Sequence, residues 1–529
     1  MLTRPEVLNG PVDLKDGSVP EVTLTGSPII PVAMGLPKTT LSLCPECLSI
    51  IPAKEYENGG KVLMTKECKD HGIFNDIISS DVKIFSEMER WHFRDGSGFS
   101  NPQVRDAYKC PTECGICNMH MTHTAVANID ITAKCNIKCN ICFADSNRNL
   151  YEPSYDEIYL MLKRLRETKP APCTTVQYTG GEPTIHPRFF DIVKATKDLG
   201  FTHIQVATNG VKLSDPEFAM KAREAGLQYI YLQMDGVTDD VFEKIRGRRF
   251  LETKLKVIES ARKAGLRIIF VPTIIRGVND HQIGDLIRLA FENLDVMTGI
   301  SIQPVVFTGR YPEEHRMRER YTLADMMLDV SRQTGFTDPY SDWFSLNSAT
   351  PFAKLAEALT GSSVSNYTCH PHCGAMSLLF VDNSRNAVPI TRFLDLFNVL
   401  KDIEVIAGTT GKRRFKMFSK LGLLKSMHKH FNAEFAPEGL TFLKFLRTLD
   451  GYADKKYTWT TEYKGHTYKT FFIFGMHFMD NYNYDLQRIR RCAVHYSAPD
   501  GKLYPFCTYN AGYTFRNRVE KQYAERKKD

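Results

Sequence analysis

Cys135, Cys139 and Cys142 stand in a C-x3-C-x2-C pattern within "KCNIKCNICFADS", directly after the apolar run "AVANIDIT". Three thiolates are an odd ligand set, because a closed tetrahedral metal site takes four. Either a fourth ligand lies elsewhere or the gap is where a reactant binds. A reactive loop of this kind belongs at the C-terminal end of a strand in a parallel α/β fold, and the sequence around it has that rhythm. Apolar runs "AVANIDIT", "TTVQYTGG", "HIQVATNG", "YIYLQMDG", "RIIFVPTII" and "GISIQPVVF" alternate with stretches of helical apolar spacing such as "YDEIYLMLKRLRE" and "ETKLKVIESARKAG". Several of those stretches end in Gly, a helix stop. Six strands alternating with helices predict a parallel sheet with right-handed crossovers. Their number fits a partial (β/α)6 barrel of the TIM type, whose site lies at the C-terminal strand ends.

The other cysteines decide whether a fourth thiolate must be borrowed. The chain has 14, and "MLTRPEVLNG" has no apolar signal core, so a reducing cytosol is expected, where clustered thiols bind metals. No run of about 18 apolar residues predicts a membrane span. The chain therefore reads as cytoplasmic, peripheral to a membrane at most. At 529 residues it is too long for one core. Residues 1–40 read as an extended lead-in, 41–122 as a cysteine-rich module, 123–320 as the barrel, and 321–529 as a C-terminal domain. Within the last, 411–433 carries seven Lys/Arg and no acid. There Phe418, Leu421, Leu424 and Phe431 can share a helical face, and an anionic membrane surface is one partner it would suit.

In the N-terminal module, Cys44, Cys47, Cys68 and His71 read C-x2-C-x20-C-x2-H, a ribbon-type mononuclear site for zinc or iron. Cys110, Cys114 and Cys117 form another three-ligand set, with His120 or Cys173 as a possible fourth. A rival partition pairs Cys44 and Cys47 with Cys114 and Cys117, and spacing does not choose between them. His120 and His123 read as loop residues. Near the C-terminus, Cys369, Cys373, Cys492 and Cys507 can complete one closed four-thiolate cluster.

Three thiolates can hold three irons of a [4Fe–4S] cluster and leave the fourth open. At this point the residues resemble the radical S-adenosylmethionine (SAM) superfamily. "YTGGEPTIHP", one strand further on, resembles that superfamily's GGEP motif in Gly180, Gly181, Glu182 and Pro183. The resemblance implies that SAM chelates the open iron, that Glu182 accepts from its ammonium, and that Phe143 packs on its adenine. Later strand ends offer Thr208, Asn209, Gln233, Asp235 and Gln303 as further SAM contacts. The segment "CAVHYSAPDGKLYPFC" resembles the auxiliary-cluster (SPASM/twitch) extensions of such enzymes, implying one or two auxiliary [4Fe–4S] clusters.

The whole set of cysteine modules, over residues 40–510, resembles the archaeal tetraether lipid synthases. That resemblance implies hydrogen abstraction from terminal methyl carbons of isoprenoid chains and their coupling by a C–C bond. The substrate would be an archaeol-type diether phospholipid, the reductant a low-potential donor such as a ferredoxin, and the membrane contact peripheral. Another radical SAM reaction on a peptide or small molecule is the first rival. A metal-ribbon nucleic-acid-binding protein is the second, but it leaves GGEP and the open three-cysteine site unexplained, so no nucleic-acid partner is expected.

Overall fold

The computed structural model describes residues 31–96, 98–410, 417–453, 460–463 and 466–526. Most of the lead-in, and 411–416 of the basic stretch, lie outside them. The N-terminal module is a four-stranded antiparallel sheet in sequence order: Lys38–Leu43, Ile50–Asn58, Lys61–Cys68 and Gly72–Ser79. Gly59 and Gly60, at φ +60° and +78°, make the hairpin turn between the second and third strands, where a tight turn needs two left-handed residues. A helix, Val82–Arg90, follows. Asp81 caps it by accepting from Ile84 N, and Ile84, Phe85 and Met88 are buried.

All six expected strands form: Val126–Thr132, Thr175–Gly180, His203–Thr208, Tyr229–Gln233, Arg267–Val271 and Met297–Pro304. Each pairs in parallel with the next, as crossover helices require. The period-2 alternation of a strand sorts their side chains. Ala127, Ile129, Val176, Tyr178, Ile204, Val206, Ile230 and Leu232 enter the main core. Asn128, Gln177, Gln205, Tyr231 and Ile269 take the opposite face and line a cavity. The crossover helices are stopped and started as their sequences dictate. Ser154 and Glu157 form a capping box at the start of Tyr155–Arg166, and Gly247 and Gly265 end Asp239–Arg246 and Leu251–Ala264 in the left-handed region.

The C-terminal half, expected as an auxiliary-cluster domain over 321–529, joins the same sheet. Among the described residues it builds no sheet of its own. Its strands extend the parallel sheet at both edges. Val494–Ser497 pairs in parallel with the first strand. His466–Met476 pairs in parallel with the sixth and antiparallel with Gly374–Val381. Both exposed edges of the six-stranded run are thus covered, which removes unpaired backbone groups. The N-terminal sheet is held to this half by a buried charge triad, in which Arg320, 1% exposed, donates to Asp480 (2.6 Å) and pairs with Asp76. Nearby, Lys66 Nζ donates to Asn481 O at 2.8 Å. Removing one member would strand an unpaired buried charge.

Candidate functional site

The loop after the first strand brings Cys135, Cys139 and Cys142 to one wall of a cavity of about 460 Å³ on the inner face of the sheet. Its backbone is fixed from two sides. Asn147, in a left-handed turn, accepts from Cys135 N (2.8 Å) and donates to Cys135 O (3.1 Å). From the loop after the sixth strand, Arg310 N donates to Cys142 O (3.1 Å), while its guanidinium reaches Cys139 O (3.4 Å), Asp145 (2.8 Å) and Ser146 O. Gly309, at φ +70°, precedes it because a Cβ there would overlap Cys142 O. Burial, with the neighbouring Glu182 and thiolate charges, pushes the Cys135 thiol up to about 12. A free thiol here keeps its proton, so bound iron is what would hold it as a thiolate.

The GGEP turn packs directly on this loop. A Cβ on Gly180, whose φ is +123°, would overlap Thr132 O, and one on Gly181 would overlap Lys134 O. The two glycines serve the approach of one strand end to another, and Gly181 N and Glu182 N donate to Thr132 O (2.7 Å) and Lys134 O (2.9 Å). Glu182 is 1% exposed. Its Oε1 accepts from Thr184 N, Thr184 Oγ1 (2.6 Å) and Thr208 Oγ1 (2.7 Å), and its Oε2 from Asn209 N (2.8 Å). Oε2 keeps a lone pair for a further donor. Burial raises the Glu182 pKa against those hydrogen bonds.

The other sequence candidates divide. Phe143, Thr208, Asn209, Gln233 and Gln303 line the cavity. Thr208 and Asn209 spend hydrogen bonds on Glu182, so they position it. Phe143 packs on Phe506 with ring centroids 5.6 Å apart. Asp235 and Pro183 do not line the cavity. Asp235 is fully buried and takes Arg246 Nε (2.7 Å) and Nη2 (2.8 Å), and Pro183 opens a buried 3-10 turn. Arg246, Arg310 and Asn147 had no sequence signal beyond being polar residues in turns or at a helix end.

The cavity has two unlike walls. Gln177 Nε2 donates to Asn128 Oδ1 (3.1 Å), Gln205 Nε2 to Gln177 Oε1 (2.5 Å) and His203 Nε2 to Gln205 Oε1 (3.0 Å), a polar row across three strands. The cavity lining also includes the apolar Ile269 and Val271 of the fifth strand and Phe474, Met476, Phe478, Val494 and Phe506 from the C-terminal half.

The remaining cysteines fall into three places. Cys44, Cys47, Cys68 and His71 offer ligand atoms all within 4.8 Å of one another, with Cys47 Sγ 3.8 Å from Cys68 Sγ and Cys68 Sγ 3.4 Å from His71 Nδ1. Tetrahedral zinc with bonds near 2.3 Å spans edges of that size. Cys44 and Cys47 therefore pair with Cys68 and His71, and the rival partition with Cys114 and Cys117 does not occur. Cys110, Cys114 and Cys117 line a small pocket with His120 and Arg490. Burial pushes the thiols of Cys110 and Cys114 up, reinforced by the charge of Cys117 at the first and of Cys110 and Cys117 at the second. Cys173 is no part of that set. It lies in the main core and donates to Thr175 O at 3.3 Å. His120 and His123 are buried instead of lying in open loops, and His120 Nε2 lies 2.9 Å from Cys492 O and 3.0 Å from His495 Nε2. Cys369, Cys373, Cys492 and Cys507 converge. After burial, Cys373 and Cys492 raise the Cys369 pKa, and Cys507 and Cys373 raise that of Cys492. Arg488 faces Cys373 and Cys507.

Residues 129–290 match the model of the radical SAM superfamily, and 36–80 that of the HMPTM N-terminal zinc ribbon domain. A 7,8-dihydro-6-hydroxymethylpterin dimethyltransferase of Methanocaldococcus jannaschii is 37% identical over 491 residues, 92% of this chain and 96% of that one. A probable GTP 3',8-cyclase of Sulfurisphaera tokodaii is 30% identical over 195 residues, 36% of this chain and 60% of that one. Streptococcus suis SuiB bound to S-adenosylmethionine aligns with a TM-score of 0.35 at 16% identity, over 40% of this chain and 47% of that one. The three-cysteine loop, the GGEP turn and the parallel strands behind them are those of a radical SAM enzyme. Within that superfamily, the chain belongs to the family of the Methanocaldococcus jannaschii dimethyltransferase, which it matches nearly end to end.

Proposed function

We propose that this chain couples unactivated alkyl carbons by radical chemistry, joining the terminal methyl carbons of isoprenoid chains of diether phospholipids into tetraethers. The observation that carries the reading is the cavity. It runs from Cys135, Cys139 and Cys142 to an apolar wall of Val271, Phe474, Met476, Phe478 and Phe506, and a methyl terminus offers that wall only surface to bury. The three thiolates suit a [4Fe–4S] cluster with one open iron, and the free lone pair on Glu182 Oε2 suits the SAM ammonium. When bound, cluster and SAM supply a primary carbon radical able to take a hydrogen atom from an alkyl carbon. Glu182 would orient SAM, Thr208 and Asn209 hold Glu182 by their hydrogen bonds, and Phe143 would cover the adenine. Gln233 and Gln303, on the cavity lining, would pair with the SAM ribose. The apolar wall excludes water, which would otherwise compete for space around the radical. Each C–C bond formed releases two hydrogen atoms, so two SAM and two electrons from a low-potential donor are consumed.

In this reading the six parallel strands form the partial barrel, and Cys369, Cys373, Cys492 and Cys507 would hold one closed auxiliary [4Fe–4S] cluster of the SPASM type. Cys110, Cys114 and Cys117 hold a further one.

A second reading is methyl transfer to a reduced pterin, the substrate in the relative's name. The Asn128–Gln177–Gln205–His203 row favours it, since a flat heterocycle has an edge to pair with such amides. The test begins with anaerobic, iron-loaded protein, SAM and a low-potential reductant, where 5′-deoxyadenosine is the expected product. The gene is then expressed in a host that makes diether lipids, and its lipids are read by mass spectrometry. New tetraethers support coupling. Unchanged diethers, together with a methylated product from 6-hydroxymethyl-7,8-dihydropterin in vitro, would establish the second reading instead.

A further inference from the structure

The Met417–His430 helix packs against the Leu396–Thr410 helix with an inner face of small residues. Thr410 Oγ1 donates to Ser419 Oγ (2.8 Å), Ser426 Oγ donates to Asp402 Oδ2 (2.7 Å), and a Cβ on Gly422 would sit only 3.6 Å from Ile406. Met427 is buried and Leu423 partly so. Positions 419, 422, 423, 426 and 427 thus spend the packing side of the helix. The other side carries Lys420, Leu421, Leu424, Lys425 and His428, all exposed. Leu421 is 53% and Leu424 42% exposed. Phe431, expected on the same face, lies past the helix end and turns inward onto Phe393, Phe442 and Phe445.

A single exposed leucine needs no explanation. Two adjacent ones, bracketed by lysines on a helix face without an acid, are the pattern of a helix that lies in a lipid interface. Apolar residues near it in sequence are exposed as well: Val405 at 68%, Phe435 at 59% and Leu443 at 69%. We propose that the Lys420–His428 face docks on an anionic lipid bilayer, with Leu421 and Leu424 entering the headgroup boundary and Lys420 and Lys425 meeting lipid phosphates. The charge selects the occupant. A neutral apolar protein groove would leave both ammonium groups desolvated without partners, whereas an anionic bilayer neutralises them while accepting the leucines. Docking of this kind rests on the surface alone, whichever carbon the cavity acts on.

The test is co-sedimentation of the full-length protein with phosphatidylcholine vesicles, with and without phosphatidylglycerol. Binding to the anionic vesicles alone, weakened by salt, is expected. L421E/L424E should abolish it. K420E/K425E should lower the partition coefficient about thirtyfold or more, from about fivefold per cation lost at the surface. Both variants should keep the wild-type circular dichroism spectrum and 5′-deoxyadenosine formation, because neither pair touches the cavity. No binding by the wild type, or binding unchanged in both variants, overturns the proposal. So does a wild-type dimer in sedimentation velocity that L421E/L424E dissociates without any vesicle binding, which would assign the face to a second copy. Absence of 5′-deoxyadenosine from the wild type would instead count against the radical reading and leave the vesicle result standing.

Discussion

Two cysteine sites in this molecule differ by one ligand and by everything that ligand implies. Cys44, Cys47, Cys68 and His71 close on each other within 4.8 Å at the end of a small antiparallel sheet. Cys135, Cys139 and Cys142 stop at three and face a cavity of about 460 Å³. The first set has its fourth ligand at short range in a hairpin, so a metal there only ties strands together. The second set has Glu182, a carboxylate with a spare lone pair, across the gap. A missing ligand beside a preorganised acceptor is a binding site; a complete set is a staple.

The largest effect that could break this contrast comes from the cysteines themselves. Cys135→Ala, Cys139→Ala or Cys142→Ala should abolish 5′-deoxyadenosine formation, measured by chromatography. Cys68→Ala should leave that activity in place while removing the ribbon metal and lowering the melting temperature. If Cys68→Ala also abolished SAM cleavage, the two sites would not be separable. Next in size is Gly181→Ala, which drives a methyl into Lys134 O and must shift the cysteine loop. SAM affinity by calorimetry should fall by at least tenfold, a loss a staple site would not show.

Smaller is Arg310→Met, which removes the guanidinium bonds to Cys139 O, Asp145 and Ser146 O. A charged hydrogen bond of this type contributes about 2 kcal/mol. The expected result is a lower iron content at the three-cysteine site with the ribbon metal retained, read by metal analysis. Smallest is a pH effect at Lys254, which donates to Asn209 O at 2.6 Å and so steadies the peptide that holds Glu182. Burial pulls its pKa down to about 7. Between pH 7 and the ordinary lysine value near 10.5, the unfolded chain binds a proton the native chain has shed, so stability rises with pH across that window. Lys254→Met should flatten the rise in urea midpoints measured at pH 7 and pH 9.

The strands of the six-strand run were legible because each is a local pattern: an apolar run, a turn and a helical repeat within some 30 residues. The three-cysteine loop and GGEP were legible for the same reason. The resemblance to tetraether lipid synthases reached further than the comparisons carry it, since the nearly full-length relative is named for a pterin. Of the face read as Phe418, Leu421, Leu424 and Phe431, Leu421 and Leu424 share the exposed side, Phe431 does not, and the Phe418 side chain lies outside the described residues. Helical spacing fixes which residues share a side, but not where a helix ends, and Phe431 falls beyond His430.

What the sequence by itself determined is the chemistry of the open set: that it has three thiolates, which strand precedes it, and that an acidic turn lies one strand away. Ligand count and strand order are written in neighbouring residues. Only the tertiary structure decided which ribbon cysteines pair, that Cys173 belongs to the core, and that Asp235 is spent on Arg246. It alone showed Val494–Ser497 and His466–Met476 closing the two sheet edges and building the apolar wall. Those contacts join residues more than 150 positions apart, and backbone pairing at that range depends on shape and burial summed over the whole sheet, which no local spacing encodes.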